Sequence, residues 1–359
     1  VSLPTGRQRE ASDRTSKNNN DAGFKGRNSM LRFVRHAIMA ALVAGVGIGM
    51  SCAHADNWPS RNVSIIVPYS AGGATDILAR KIAEGLTNEL GRTVIVDNRA
   101  GAGGILGTTL AANAKPDGYT LFFGQVSSHG IVPNLAASLK YDPVKSFEPI
   151  IFIASIPNIL VVNKDLPVNS VDELIAYAKA NPDKLNYASS GIGASTHLSG
   201  EMFKSQAGIS MTHIPFPGSA QAITSVMGGQ TQIMFDNMPS AYQHVLSGGL
   251  KALAVTTKNR SPAAPDIPTV AEAATKADLS KFEATSWFGL FAPAGTPAEV
   301  ITRVNTSVND LLKKPEIIKF INDGGGVTEG GTPEELAKHV TAELAKWKVV
   351  INDAGIPKQ

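Results

Sequence analysis

The chain has 359 residues, of which 43% are hydrophobic and 18% charged, with 34 Gly, 21 Pro and 1 Cys. This composition excludes collagen, a long coiled coil, a wholly disordered chain and a disulfide-stapled small domain. The formal charge of +3 is uneven: residues 1–55 hold eight basic and three acidic groups, leaving 25 basic against 27 acidic in the rest. No basic block interleaved with aromatics remains there, so nucleic-acid binding lacks its electrostatic footprint.

Residues 1–29 are polar and aperiodic, and read as a leader from a start site placed too early, with Met30 the working start. From Met30 the pattern is a short basic segment, an uncharged apolar run at 37–50, and Ala53-His54-Ala55. That is a secretory signal at 30–55, cleaved after Ala55. A transmembrane anchor is the alternative, but the 14-residue run falls short of the about 20 residues that a bilayer needs. Cys52 raises lipidation, but Gly49-Met50-Ser51 lacks the apolar residue that usually stands three positions upstream.

The mature region alternates strands and helices. Val63–Pro68 predicts a buried strand, Tyr69–Ala74 a Ser/Gly turn, and Thr75–Leu90 an amphipathic helix closed by Gly91. Strands follow at Thr93–Val96 and Tyr119–Phe123, with a Gly-rich turn at Asn98–Gly107 and a helix around Ile105–Ala114 between them. Phe147–Ile156 and Asn158–Val162 form an apolar stretch broken by Pro157. Ser170 with Glu173 predicts a capped helix over Val171–Ala180. A strand at Leu185–Ala188, a Ser/Gly turn at Ser189–Ala194 and a helix at Thr196–Ala207 come next. Then come a helix at Ala220–Gly228, a strand at Ile233–Phe235, a helix at Tyr242–Ser247 and a strand at Lys251–Thr256. After the irregular, Pro-rich residues 259–270 come a strand at Thr285–Phe291 and helices at Pro297–Lys313 and Pro333–Val350. The alternation argues an α/β layered architecture.

Two modules repeat the order strand, Ser/Gly turn, helix, at 63–90 and 185–207. Each presents main-chain N–H groups at a helix start, which favours an anion such as a carboxylate. The first is Tyr69-Ser70-Ala71-Gly72-Gly73-Ala74-Thr75-Asp76; the second is Ser189-Ser190-Gly191-Ile192-Gly193-Ala194-Ser195-Thr196-His197. Either is also consistent with a plain turn, capped by Thr75 or Asp76 in the first. Asp76 is itself anionic and is assigned to capping or bracing the loop. His197 is a ligand contact, a metal ligand or a packing residue, with packing the default. If the two modules face one another across a cleft, both can grip one ligand.

The turn Asn98–Gly107 fails as a dinucleotide fingerprint, because position 106 is Leu106 and the turn follows the second strand. Close packing of a helix on the sheet fits it better. There is no GxSxG elbow, HExxH or Walker loop, and the His residues lack metal-ligand spacing.

The chain resembles the extracytoplasmic receptors of tripartite tricarboxylate transporters, the TctC or Bug (Bordetella uptake gene) family. The resemblance runs over 58–359 and is carried by VPYSAGGATDILAR (67–80), VDNRAGAGGILG (96–107), PDGYTL (116–121), YASSGIGASTHLSGEMF (187–203), HIPFPGSAQA (213–222), FDNMPSA (235–241), KALAVTTKNRSPAAPDIPTVAEA (251–273) and WFGLFAPAGTP (287–297).

The resemblance implies an α/β fold of periplasmic-binding-protein type II, a Venus flytrap. Its lobe 1 would be 56–158 with 281–359 and its lobe 2 would be 159–280, with crossings near Ile156–Leu160 and Lys281–Ser286. It implies that Tyr69–Asp76 holds one carboxylate, partly through water. It implies that Ser189, Gly191, Gly193, Ala194, Ser195, Thr196 and His197 complete the pocket from the other lobe. Ser127, Phe216-Pro217-Gly218-Ser219-Ala220 and Asp236 join the ligand-binding set. Members often carry a basic residue where Pro217 stands, so a charge–charge contact is not expected there. Tyr69, Phe216 and Met238 would favour an apolar or aromatic ligand body, or else are packing residues. The expected protein is a periplasmic monomer that uses no cofactor or metal, is not an enzyme, and passes a small carboxylate to a two-subunit membrane transporter. A receptor for a sensor kinase carries the same signature, and an enzyme acting on carboxylates is the third reading.

Overall fold

The computed structural model describes residues 58–353 and 355–358. The leader and signal readings for 1–55 lie outside the described residues. In chain order the fold runs β1 (Val63–Val67), α1 (Ala74–Leu90), β2 (Val94–Asn98), α2 (Ile105–Ala112), β3 (Thr120–Gln125), α3 (Val132–Leu135) and the long β4 (Phe147–Asn163). It continues with α4 (Val171–Ala180), β5 (Asn186–Ser189), α5 (Ser195–Ala207), β6 (Thr212–Pro215), α6 (Ser219–Met227), β7 (Ile233–Asn237), α7 (Met238–Leu246) and β8 (Leu250–Val255). It ends with α8 (Val270–Ala273), β9 (Thr285–Pro293), α9 (Ala298–Leu312), α10 (Pro315–Asp323), β10 (Val327–Gly330) and α11 (Pro333–Asp353).

Two sheets share β4. The first has the order β2-β1-β3-β9-β4-β10, with β1 parallel to both β2 and β3 and the remaining pairs antiparallel. The second has the order β8-β4-β7-β5-β6, with β5 parallel to β6 and β7. Each sheet with its helices is one α/β lobe. Helices cover both faces of the first sheet, which explains the near-continuous apolar run of β1. Val63, Ile65 and Val67 enter one apolar cluster with α1 and α9, while Ile66 enters the other. In the second sheet Leu160, Val162 and Phe235 face one cluster, and Ile159, Val161 and Met234 face another.

Pro157 does not break the apolar stretch, because one strand runs through it. β4 pairs with β9 as far as Pro157, opposite Thr285, and pairs with β7 from Asn158 onward. Proline has no N–H to give a ladder, and here it stands where the strand exchanges one partner for another. Gly91, with φ 65°, ends α1 in the left-handed region and donates its N–H to the Thr87 carbonyl. Ser170 caps α4 by accepting the Glu173 N–H, whereas Glu173 reaches back to the N–H of Asn169. Helix α7 begins at Met238, earlier than the Tyr242 expected, because Pro239 suits a first helical turn. The pattern also missed β6, β10 and α10, along with α8, whose Thr269–Glu272 capping box was present in the sequence.

Candidate functional site

The first loop leaves β1 and enters α1. Its N-cap is Gly73, with no side-chain cap, so neither Thr75 nor Asp76 caps the helix. Asp76 instead turns back to brace the loop. Its carboxylate accepts the Gly72 N–H at 2.9 Å, the Asn98 amide at 2.9 Å and the Arg80 Nε at 3.0 Å. Burial by itself would raise this carboxyl, but the Arg80, Gly72 and Asn98 hydrogen bonds and the Arg80 charge hold it below its ordinary value. Gly72 has φ 86°, a conformation that favours glycine. The first N–H to bond back along the helix is that of Ile77, to Gly73. The N–H groups of Ala74, Thr75 and Asp76 therefore belong to the first helical turn, where no intrahelical partner exists.

Tyr69 is buried; its hydroxyl donates to the Gly103 carbonyl at 3.2 Å, and burial pushes its pKa up to about 12. The Thr75 hydroxyl accepts from the buried Gln125 amide at 3.3 Å. Ser70 donates to Gln221 on α6 at 2.9 Å, a hydrogen bond from one lobe to the other.

The structure brings the first loop against the start of α6. A Cβ on Gly72 would lie 3.5 Å from Ala220 Cβ, and one on Gly73 3.5 Å from Ser219 Cβ. A Cβ on Gly218 would overlap Ser70 Oγ. Under α6, Asp236 is buried, and its carboxylate accepts the Ser219 hydroxyl at 2.7 Å and the Ser240 hydroxyl at 2.5 Å. Burial raises Asp236 to about 6, and those two hydroxyls offset part of the rise. Pro217 is exposed, and Phe216 is half-buried against the second-lobe core.

The second loop is built differently from the first. Most of its N–H groups are taken within the protein: Ser190 donates to Thr196 Oγ1 at 2.9 Å, Gly191 to Ser189 Oγ at 3.1 Å and Ala194 to the Gly191 carbonyl at 3.1 Å. Gly193 donates to Nδ1 of His197 at 3.2 Å. Ser195 donates to Ser127 Oγ at 3.1 Å, so Ser127 is buried as a tie between lobes. His197 is buried and stacks on His213 with centroids 4.1 Å apart. His213 Nε2 lies 2.6 Å from Ser189 Oγ. Burial lowers His197 to about 4 and His213 to about 3.

Met238 is buried in the second-lobe core and lines a separate cavity of about 380 Å³ with Ile77, Ile156, Tyr242 and Phe320. Among the described residues, no group of three or more His, Cys, Asp or Glu is placed to hold a metal ion. The sequence reading missed Asn98, Arg80, Gln125, Gln221 and Gly103. Arg80 stands one turn after Asp76, which is a readable signal. Gln221 is 151 positions from Ser70, and no local pattern joins them.

The profile of the TctC family, described as the tripartite tricarboxylate transporter family receptor, matches residues 78–356. Protein BugT of Bordetella pertussis is 33% identical over 320 residues, covering 89% of this chain and 97% of that protein. A solved structure from R. palustris with adipate is 38% identical, has a TM-score of 0.80, and is matched over 84% of this chain and 99% of its own. MatC from Rhodopseudomonas palustris with bound malate is 32% identical, with a TM-score of 0.78, over 82% and 100% of the two chains. With the sheet topology, these likenesses give the type II periplasmic-binding-protein fold of two α/β lobes.

Proposed function

This chain belongs to the tripartite tricarboxylate transporter receptor family, and we propose a division of labour between its lobes in capturing a small organic carboxylate. The protein is a periplasmic solute-binding receptor that serves a membrane transporter. Lobe 1 comprises 56–158 and 281–359, and lobe 2 comprises 159–280. The first loop, Tyr69–Asp76, supplies main-chain donors to one carboxylate. The second loop, Gly191–His197, and the segment Phe216–Ala220 form the facing wall. Residues 30–55 are the secretory signal that brings the chain to the periplasm.

One observation carries this reading. The Asp76 carboxylate is occupied by Gly72, Asn98 and Arg80, so the only anion in the loop is neutralised within it. The first-turn N–H groups beside Ser219 are left to take an anion from solution. Main-chain donors with bridging water satisfy a carboxylate without an arginine. The second loop has spent most of its donors internally, which suits a wall better than a second cradle. Because adipate and malate were found in the two relatives above, these diacids are the first compounds to test here.

The test is calorimetry of Gly72→Pro and Gly73→Val with adipate, malate and benzoate-type acids. Proline cannot adopt φ 86° and removes the N–H that Asp76 accepts. A Cβ at 73 already stands in contact with Ser219, 3.5 Å from its Cβ, and the two methyls of a valine crowd that space further. Each variant should bind at least ~10-fold more weakly, about 1.4 kcal/mol, with its circular dichroism unchanged. Normal affinity in both would show the loop wrongly assigned.

A further inference from the structure

The turn Asn98–Gly107 contains a glycine that packs the helix on the sheet, and that glycine is Gly107. A Cβ there would fall 2.6 Å from the Arg99 carbonyl oxygen and 2.7 Å from Pro68 Cα. Gly103 is different, because its close neighbours belong to the other lobe. A Cβ on Gly103 would land on the carbonyl oxygen of Ile192, and a Cβ on Gly191 would fall 2.9 Å from Gly103 Cα. Both glycines have positive φ, 63° and 128°. The lobes therefore meet main chain against main chain, at a spacing that no side chain permits.

The Gly103 turn is anchored to the first ligand loop, and Gly191 is part of the second. Tyr69 donates its hydroxyl to the Gly103 carbonyl at 3.2 Å, and Gly191 donates its N–H to Ser189 Oγ at 3.1 Å. A displacement at the contact is thus transmitted to both loops.

We infer that Gly103 is the stop on which the lobes close, a positioning residue that sets how tightly the two ligand loops enclose a bound acid. The role of the enclosed acid rests on the carboxylate reading above; the contact itself does not. A methyl group at position 103 wedges the lobes apart. Ligand then still reaches the first loop at the normal rate but leaves faster, because the second wall does not seat.

The structure supplies its own control. Gly91 has nearly the same backbone conformation, φ 65°, and a Cβ there meets nothing within 4 Å. Gly91→Ala carries the same left-handed strain as Gly103→Ala without touching the other lobe. Gly103→Asn is the second variant, since asparagine tolerates this conformation.

The experiment is pulsed electron–electron distance measurement on the full chain carrying Cys52→Ser. Nitroxides are placed at Leu110→Cys and Thr224→Cys, two exposed positions on α2 and α6. Samples are measured in buffer, with adipate and with malate. The original sequence and Gly91→Ala should share a short-distance population that both Gly103 variants lack. Dissociation of whichever acid binds should be at least ~10-fold faster in the Gly103 variants, with association unchanged. A short-distance population retained in Gly103→Ala and Gly103→Asn overturns the inference. So does its absence from the original sequence under all three conditions. Closure that depends on Gly103 but ignores both acids would uphold the stop and refute the carboxylate reading for these diacids.

Discussion

Asn158 and Asn237 face each other on neighbouring strands, and the side-chain amide of Asn237 donates to the side-chain oxygen of Asn158. Both are buried where β4 exchanges one sheet for the other. The Asn158 amide reaches Ser199 Oγ at 2.9 Å, and Asn237 also donates to Ser286 Oγ at 2.7 Å. Ser286 in turn lies 2.8 Å from Ser195 Oγ. Strand β4, which both sheets share, is thus tied to β7, to β9 and to the first turn of α5. Fully bonded polar groups in a buried position hold one geometry firmly, because any alternative leaves a donor unmatched.

Replacing Asn158 with Leu keeps the branched shape and the number of side-chain heavy atoms but strands the Ser199 and Asn237 groups. The expected loss is about 3 kcal/mol, read from urea unfolding. Ser199→Ala removes one partner only and should cost about 1 kcal/mol. A loss in the Asn158→Leu, Ser199→Ala double variant equal to the sum of the two single losses would mean that the groups act separately, not as a connected network.

Acid should destabilise the second lobe through its histidine pair. His197 and His213 are packed among Tyr187, Glu201 and Lys204. Burial lowers both below the ordinary 6.5, although Glu201 opposes the shift at His197. The unfolded chain then binds more protons, so their contribution is whole above pH 6.5 and is lost as pH falls toward 4 and 3. Asp236 works in the opposite direction. Its pKa is raised to about 6, so its contribution is whole below its ordinary 3.8 and is lost as pH rises through 6. The histidines should win, with Tm falling by about 5 °C between pH 6.5 and 4.5. Asp236→Asn should steepen that fall, because the opposing gain is removed. An unchanged slope in the variant would show the carboxyl ionised throughout.

The legible parts of this fold were those written in local patterns. β1 read as an apolar run because both its faces are covered, and α4 announced itself through Ser170 and Glu173. The first loop was readable as a helix start, and the bracing role of Asp76 followed from its charge. What escaped were relations between distant residues. Ser70 with Gln221, and Gly103 with Ile192, exist only once the lobes are set together. The short β10 pairs with β4 through Val327–Ser155 and Thr328–Ala154, although its own four residues carry no strand periodicity. The second loop had the composition of an anion cradle, yet its hydroxyls and His197 accept the very N–H groups that composition advertised.

Arg80 and Asp76 should separate by the consequences of removing each. Asp76→Ala leaves the Gly72 N–H without its acceptor, while the Asn98 amide keeps only the Tyr69 carbonyl and the Arg80 guanidinium keeps only Asn98 Oδ1. The loop then loses the brace that fixes Gly72, and the Arg80 charge beside it is no longer neutralised. Affinity for a bound diacid should fall at least ~10-fold, with a modest drop in Tm. Arg80→Gln removes a partner that is half-exposed, so it should cost no more than about 1 kcal/mol and leave binding within ~3-fold. Because Asp76 sits below its ordinary value, its stabilisation is present above pH 3.8 and is lost only as pH falls further. Its bracing of the loop should therefore stay constant from pH 7 to 5. A wild-type affinity that follows the ionisation of Asp76 within that range would mean that the Gly72, Asn98 and Arg80 bonds do not hold it, and calorimetry at pH 7, 6 and 5 decides the matter.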